Sequence, residues 1–420
     1  MRFFGRPHLV IAAITAVLTT ICWNYTAHSQ SVTPVGTAET FDIATWNIEW
    51  FGNTGLGNGP SDVDQQRENV EKVILESKID LWALQEISDT RQFQKLLDSL
   101  GEPWEGVLAT TLVTQRIAFI YNTEVVQVRR FKHILEQYSS GSAPPNGQNY
   151  FAGRPPLQMT IDVTLPDTTV QMTVISLHMK CCSDSVSHER RTKASDRLKI
   201  HVDFTSLTNE PVIIAGDFND KLLTSIRVGS PSPFENFSED SGDFQFTTLT
   251  LEQQNIGTFC FSSPTCSGGS TIDHILITDE LFMHYEGGSV ARLESVLSEL
   301  PNYVNSTSDH MPVYARFLFP TNTGTDEEKE IPTQVRISKP YPNPAVNQIE
   351  FTVGTVTMEI LLVEVYDILG RIQSSNRIQP RGVGETPIRV ETHGLPAGVY
   401  FVRVSTGSHS SQSKFVKLGL

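Results

Sequence analysis

Six short segments carry acids, amides and histidines at the ends of apolar runs: "ATWNIEW", "LWALQEI", "ISLHMK", "IIAGDFND", "TIDHILI" and "TSDHMPVYARF". In "VIIAGDFNDK" the residues Val212 to Ala215 read as a strand buried on both faces, and Gly216 lets the chain bend before Asp217 and Asn219. Taken alone, these two could equally cap a turn by bonding their own backbone. Six strand ends with one habit are harder to explain as caps, because such ends point into the crevice where open α/β sheets hold ligands. Asn47 and Glu49 share one side of their strand, since side chains alternate with period two. Glu86, His178 with Lys180, Asp273 with His274, and Asp309 with His310 complete the set.

Together these residue types suit metal-assisted cleavage of a phosphate ester. Glu86 and Asp309 offer hard oxygens of the kind that hold Mg²⁺ beside water and a substrate phosphate. Such a cation polarises the phosphoryl oxygen and stabilises charge on the leaving group. A histidine paired with a carboxylate, His310 with Asp273, could take the proton of an attacking water. A second histidine and an arginine can hold the phosphate oxygens.

The elements that must position these groups alternate over residues 40–319. "FDIATWNI", "IDLWALQEI", "RIAFIYN", "VVQVRRFKHI", "PLQMTIDVTL" and "VQMTVISLHMK" read as strands, and "QQRENVEKVILES", "TRQFQKLLDSL" and "SHERRTKASDRLKIHVDFTSL" as helices. Several strands follow one another directly, which predicts an α/β layered fold on mixed sheets rather than a doubly wound one. The basic residues Arg190, Arg191, Lys193, Arg197 and Lys199 could line a nucleic-acid track, but a charge-laced helix is ordinarily a solvated face. After Phe319 the polar segment "PTNTGTDEEKEIPTQ" reads as a linker over 320–334. Residues 335–420 hold only short strands split by Gly, Pro and Asn, which predicts a small all-β sandwich.

The 420-residue chain carries a net charge of −15, which argues against a broad basic surface and requires any polyanion to be met locally. Arg2 and Arg6 precede an apolar run from Leu9 to Ile21, and Ala27 and Ser29 follow, the pattern of a signal peptide over 1–29. That run falls short of the ~20 residues of a spanning helix, and the mature protein is expected to have no integral membrane segment. Cys22 leaves with the leader, so Cys181, Cys182, Cys260 and Cys266 remain. In the loop "TFCFSSPTCSGGST" Cys260 and Cys266 are the expected disulfide, while the neighbours Cys181 and Cys182 either bridge each other or stay free.

The order "WN", "QE", "LH", "GDFN", "DH" and "SDH" over residues 46–310 resembles the endonuclease/exonuclease/phosphatase superfamily, which includes secreted deoxyribonucleases, abasic-site endonucleases, sphingomyelinases and inositol phosphatases. The resemblance implies a four-layer αββα sandwich with the site at one edge of two packed sheets. It places Asn47 and Glu86 on metal-binding positions, and His178, Asp217 and Asn219 on positions that contact the scissile phosphate. Asp273 and His310 fall on the catalytic pair, Asp309 on a metal or ring-supporting position, and Arg154 of "YFAGRPPLQM" on a phosphate-binding one. Two departures stand out. Gln115 occupies the place where deoxyribonucleases support the histidine matching His178 with a carboxylate, and Glu49 lies where many members have no acid and is read as a metal ligand or, by preference, a solvated residue.

The segments "ISKPYPNPAVNQIEF", "VEVYDILGR", "GLPAGVYFVRV" and "SKFVKL" resemble a type A C-terminal sorting domain of the type IX secretion system. That implies passage through the periplasm, removal of the tail, and release or surface attachment. A carbohydrate-binding or adhesion module is the other reading of this sandwich. The combined expectation is an exported phosphodiesterase using Mg²⁺, with Mn²⁺ or Ca²⁺ as alternatives, that acts as a monomeric nuclease on extracellular DNA or RNA. Its rivals are a sphingomyelinase-like phospholipid phosphodiesterase and a non-catalytic surface binding protein.

Overall fold

The apolar runs assemble into two six-stranded mixed sheets in a computed structural model of the chain. The structure describes Met1 and residues 31–319 and 336–419, apart from 54, 56, 112, 206, 209, 261, 262, 356–358, 368–370, 381–383 and 407–409. The expected leader beyond Met1 and the linker 320–334 lie outside the described residues.

The strands in chain order are β1 (Phe41–Phe51), β2 (Leu81–Ile87), β3 (Trp104–Leu108), β4 (Arg116–Asn122), β5 (Val126–His133), β6 (Leu157–Leu165), β7 (Thr168–His178), β8 (Val212–Asp217), β9 (Phe244–Phe246), β10 (Asp273–Thr278), β11 (Ala291–Arg292) and β12 (Val313–Phe317). One sheet runs β11-β12-β1-β2-β4-β3 and the other β5-β6-β7-β8-β10-β9. Their parallel pairs are β1 with β2 and β7 with β8. Parallel neighbours need a crossover, and the chain supplies α1 (Val63–Ser77) for the first pair and α3 (Ser185–Asp203) for the second. A third helix, α2 (Thr90–Leu100), follows β2. Asp62, Asp89 and Asp184 start these three helices by accepting hydrogen bonds from first-turn N–H groups, which leaves fewer of those donors unsatisfied.

Burial sorts the domain into four layers. Phe41, Ile43, Ala83 and Phe119 of one sheet meet Met159, Val174, Ile213 and Ile275 of the other in a core between the sheets. On the outer face of the first sheet, Trp46 and Trp82 pack with Val70, Val73 and Ile74 of α1 and Phe93 and Leu96 of α2. On the outer face of the second, Ile175, Leu177 and Ile214 pack with Ala194, Leu198 and Val202 of α3. This is the αββα sandwich that the resemblance implies, built on the mixed sheets that the strand pattern predicts.

Two basic residues of α3 depart from the solvated face expected of them. Arg191 is fully buried, its Nε 2.8 Å from Asp220 Oδ2, and Arg190 is 9% exposed. A buried charge has to be paired, and Asp220, three residues beyond Asp217, supplies the partner.

The C-terminal region is all-β, in a three-stranded sheet and a four-stranded one. The first joins β13 (Arg336–Ile337), β14 (Gln348–Thr355) and β17 (Gly384–Glu391) in the order β13-β14-β17. The second joins β15 (Leu361–Asp367), β16 (Ile372–Ile378), β18 (Gly398–Ser405) and β19 (Ser410–Lys417) in the order β16-β15-β18-β19. Ile349, Val353, Val363, Val365, Val402 and Phe415 form a core of its own. Among the described residues no helix is long and apolar enough to cross a membrane.

Candidate active site

Sheet topology gathers the polar strand ends. Parallel pairing of β7 with β8 sets His178 beside Asp217, and antiparallel pairing of β8 with β10 sets Asp217 beside Asp273. In the facing sheet β1 and β2 run side by side, so Asn47 and Glu86 finish at the same edge. The sheets join there: Asn47 Nδ2 donates to Glu86 Oε1 at 3.2 Å and, across the interface, to Asp217 Oδ2 at 3.0 Å. Register shifts interrupt both β1 and β2 at this end, and Glu49, Glu86 and Asn219 hold positive φ values of 33°, 65° and 54°. Such backbone is costly for residues with a Cβ and collects at functional sites.

The histidine–acid pair is formed. His310 Nδ1 lies 2.9 Å from Asp273 Oδ2, which also accepts from the Thr258 hydroxyl at 2.6 Å. An ionised carboxylate only accepts, so Nδ1 is the donor and Nε2 is left facing Asp217 and Asp309, at 4.0 and 3.9 Å. Burial alone would lower the His310 pKa, but Asp273, Asp217 and Asp309 outweigh it and hold it well above the ordinary histidine value. Its backbone carbonyl accepts hydrogen bonds from Trp46 Nε1 and the Tyr303 hydroxyl.

Next to this pair lies a pocket of donors. Asn219 Nδ2 donates to Asp217 Oδ2 and to the Met179 carbonyl, both at 3.1 Å. Arg154 donates to the same carbonyl at 2.7 Å and to Gln115 Oε1 at 2.9 Å, while its buried Nε has no hydrogen-bond partner among the described residues. His178 Nε2 stands 3.4 Å from Asp217 Oδ2. Burial, together with the charges of Arg154 and His310, pushes the His178 pKa well down, so at neutral pH it offers an uncharged N–H. Gln115 therefore serves Arg154, and His178 Nδ1 is buried with no partner among the described residues.

Asp309 N–H donates to Glu49 Oε2 at 3.1 Å, and Trp50 N–H to Glu86 Oε2 at 3.0 Å. Burial, with repulsion from Asp309 and Glu86, raises the Glu49 pKa to about 7. Burial also raises Asp309, and Glu86 adds to the effect. Three hard-oxygen carboxylates that repel one another suit a divalent cation, so the residues present fit such a group. Glu49 is half-buried and bonded into this cluster, not the solvated residue expected. Asp217, Asp273 and His310 also offer ligand atoms within 4.8 Å of one another. There His310 and Asp273 already bond each other.

Asn47, Glu86, His178, Asp217, Asn219, Asp273 and His310 thus meet at one edge, with Asp217 and His310 only 1% and 5% exposed. His274 does not join them, because its ring is buried between the Thr248 hydroxyl and the Asp220 carbonyl. Sequence reasoning missed Thr258 and Tyr303, which steady Asp273 and His310. The Tyr in "PNYVNSTSDH", seven residues before His310, is the one local signal that could have found Tyr303.

The model of the "Endonuclease/Exonuclease/phosphatase family" matches residues 44–310, and that of the "Secretion system C-terminal sorting domain" matches residues 339–418. No curated protein sequence matches the chain. Solved structures similar to it include the human Nocturnin catalytic domain, with 16% identity, 67% of this chain and 95% of that chain covered and a TM-score of 0.46. A mannosyl-6-phosphatase of Bacteroides thetaiotaomicron shares 16% identity over 66% of this chain and all of its own, with a TM-score of 0.44. D. rerio TDP2 complexed with a single-strand DNA product shares 14% over 66% and 98%, with a TM-score of 0.46. These weak likenesses carry no substrate to this chain. The tail is a C-terminal sorting domain of the type IX secretion system, which marks the protein for export to the cell surface or beyond. With its family model spanning 267 of 420 residues (44 to 310), the chain belongs to the endonuclease/exonuclease/phosphatase family, whose members hydrolyse phosphoesters.

Proposed function

We propose that the protein is an exported, divalent-cation-dependent phosphodiesterase that acts as a monomer on nucleic acid. Residues 40–319 form its catalytic domain, 1–29 its leader, 320–334 a linker and 335–420 the sorting domain. The observation that carries the reading is the joint convergence on Asp217 of the His310–Asp273 pair, the donors Asn219 and His178, and the Asn47–Glu86 pair.

Arg154, Asn219 and His178 hold the oxygens of the scissile phosphate, and His178 does so without adding charge. Asp217 orients the attacking water. His310 in its neutral form takes the water's proton at Nε2 while Asp273 holds Nδ1 and stabilises the imidazolium that results. The water oxygen bonds phosphorus, the ester P–O bond breaks, and the leaving oxygen departs with the electron pair. Glu86, with Asn47, Asp309 and Glu49 beside it, would hold the cation, which polarises the phosphoryl oxygen and offsets charge on the leaving oxygen.

One observation favours the phospholipid reading: Leu223 and Val228, on the loop that follows Asp220, are 55% and 94% exposed. Parallel incubation of purified protein with plasmid DNA, RNA and sphingomyelin vesicles, with Mg²⁺ or with chelator, decides between them. Cation-dependent cleavage of DNA or RNA is expected. Turnover of sphingomyelin alone would replace the nuclease by the phospholipase, and no turnover of any substrate would reject both.

A further inference from the structure

Cys181 and Cys182 stand three and four residues past His178, on the loop from β7 to α3, and both are exposed. Their Sγ atoms are 2.9 Å apart, and Lys180 Nζ is 3.1 Å from Cys181 Sγ and 3.8 Å from Cys182 Sγ. The backbone around them is clamped. Arg191, anchored on Asp220, donates through Nη1 to the carbonyls of Lys180 at 2.7 Å and Cys182 at 2.8 Å. One residue earlier, the Met179 carbonyl seats both Arg154 and Asn219. Cys182 itself sits at φ 84°, a conformation that this clamp sustains.

We propose that Cys181 and Cys182 are a thiol-modification site, closing into a vicinal disulfide by exchange with a disulfide donor met on export, and that closure frees Lys180 for the substrate's phosphate. The kinetic half rests on the phosphodiesterase reading, whereas the disulfide does not. The Cys181 thiolate attacks one sulfur of the donor and expels the other as a thiolate. Cys182 then gives up its proton and attacks Cys181 Sγ of the mixed disulfide, expelling the second donor sulfur. Two cysteine thiols are oxidised, one donor disulfide is reduced to two thiols, and the two cysteine protons pass to the departing thiolates.

The surroundings assign the order of attack. Burial opposes the Cys181 thiolate, but hydrogen bonds from Cys182 and Lys180 and the charges of Lys180 and Arg154 outweigh it and lower the Cys181 pKa. The Cys182 thiol is raised, by its bond to Cys181 first and by burial second. In the dithiol form the Lys180 ammonium is engaged by sulfur. In the disulfide neither sulfur carries charge, so the ammonium becomes available beside Arg154.

The test treats the full chain with oxidised glutathione or with dithiothreitol, alkylates it with iodoacetamide and digests it with trypsin. The peptide "CCSDSVSHER", residues 181–190, should emerge unalkylated and lighter by two hydrogens after oxidised glutathione, and doubly alkylated after dithiothreitol. Double alkylation under both conditions overturns the site. With bis(p-nitrophenyl) phosphate as probe, oxidation should lower KM about five-fold at little change in kcat, the scale of one added charge near the surface. The double variant Cys181→Ser/Cys182→Ser should keep one KM under both conditions. Since Cys260 and Cys266 remain in it, redox sensitivity that persists would belong to them and overturn the proposal. A closed peptide with unchanged KM overturns the link to Lys180. Absence of hydrolysis in both forms counts against the phosphodiesterase reading, and the peptide mass still decides the disulfide.

Discussion

His310 Nδ1 lies 2.9 Å from Asp273 Oδ2 while Trp46 and Tyr303 grip the His310 carbonyl, so ring and main chain are fixed from opposite sides. The surrounding acids overcome burial and raise the His310 pKa, so the ring is protonated at pH values where an ordinary histidine is neutral. A general base must be neutral, and kcat/KM should therefore rise with pH through a midpoint above 6.5. Asp273→Asn removes the largest of the acidic influences and should move that midpoint down. His310→Ala should cost roughly 10²–10⁴ in rate. A midpoint that stays in place in Asp273→Asn would separate this pair from the chemistry.

Glu86→Gln should raise the Mg²⁺ concentration needed for half-maximal rate, because a neutral amide is a poorer ligand for a hard cation. Mg²⁺ should also raise the melting temperature of the wild type, by binding the folded state only and relieving repulsion among Glu49, Glu86 and Asp309. The variant should show a smaller rise. An equal rise in both proteins would place the cation elsewhere.

Much of this site was legible because buried strands read as apolar runs and their polar ends stand out in sequence. His178, Asp217 and Asp273 needed only the register of β7, β8 and β10 to meet. What stayed hidden depends on distant contacts. Gln115 and Arg154 are 39 residues apart and meet only where the chain between β5 and β6 returns. Arg190 and Arg191 look like a solvated charge run until Asp220 takes the second of them into the core. The strand "IQSSNRI" escaped notice because its side chains are mostly exposed and polar, so no apolar alternation marks it. The turned backbone at Glu49 and Glu86 follows from register shifts, which no local pattern encodes.

Asp80 offers a stability test away from the chemistry. It accepts the Asp42 N–H at 2.8 Å, and burial, with the nearby Asp42 charge, raises its pKa from 3.8 to about 8. The folded state then holds a proton that the unfolded chain gives up, so stability present below pH 4 is lost progressively as pH rises to about 8. Asp80→Asn keeps an acceptor for Asp42 and removes that titration. Its melting temperature relative to wild type should climb between pH 4 and pH 8 and then level. A constant difference across that range would show that Asp80 does not titrate as its burial requires.

The Cys260–Cys266 disulfide joins two buried cysteines, and Cys260 N–H donates to the Asp309 carbonyl at 2.7 Å. Met311 N–H donates to Thr258 at the same distance, so the loop braces the segment that carries His310. Cys266→Ser should cost about 2 kcal/mol of stability, the scale for a loop of this length. It should also lower kcat, through a looser His310. Chemical denaturation and steady-state kinetics read the two effects separately. A stability loss without any change in kcat would show that the brace does not reach the ring.

The tail prediction turns on where the cores lie. All three cores of the αββα sandwich are built from residues between Val32 and Phe319, and the sorting domain has a fourth of its own. Contacts between the two regions include ion pairs of Lys339 with Asp243 and Asp279, at 3.7 and 3.3 Å, and of Lys414 with Asp240 at 3.5 Å. Partly exposed pairs of this kind are worth about 0–1 kcal/mol each, too little for the catalytic domain to depend on them. A chain ending at Pro332 should therefore keep its melting temperature within a few degrees and hydrolyse substrate at the full rate. In the native host it should stop in the periplasm, while the intact precursor reaches the surface or medium and loses its tail there. A substrate-binding module would behave the other way: it would stay on the mature protein, and its removal would lower activity on a polymer without changing location. Residues beyond 335 found in the mature extracellular protein, together with normal export of the truncated chain, would decide for the module.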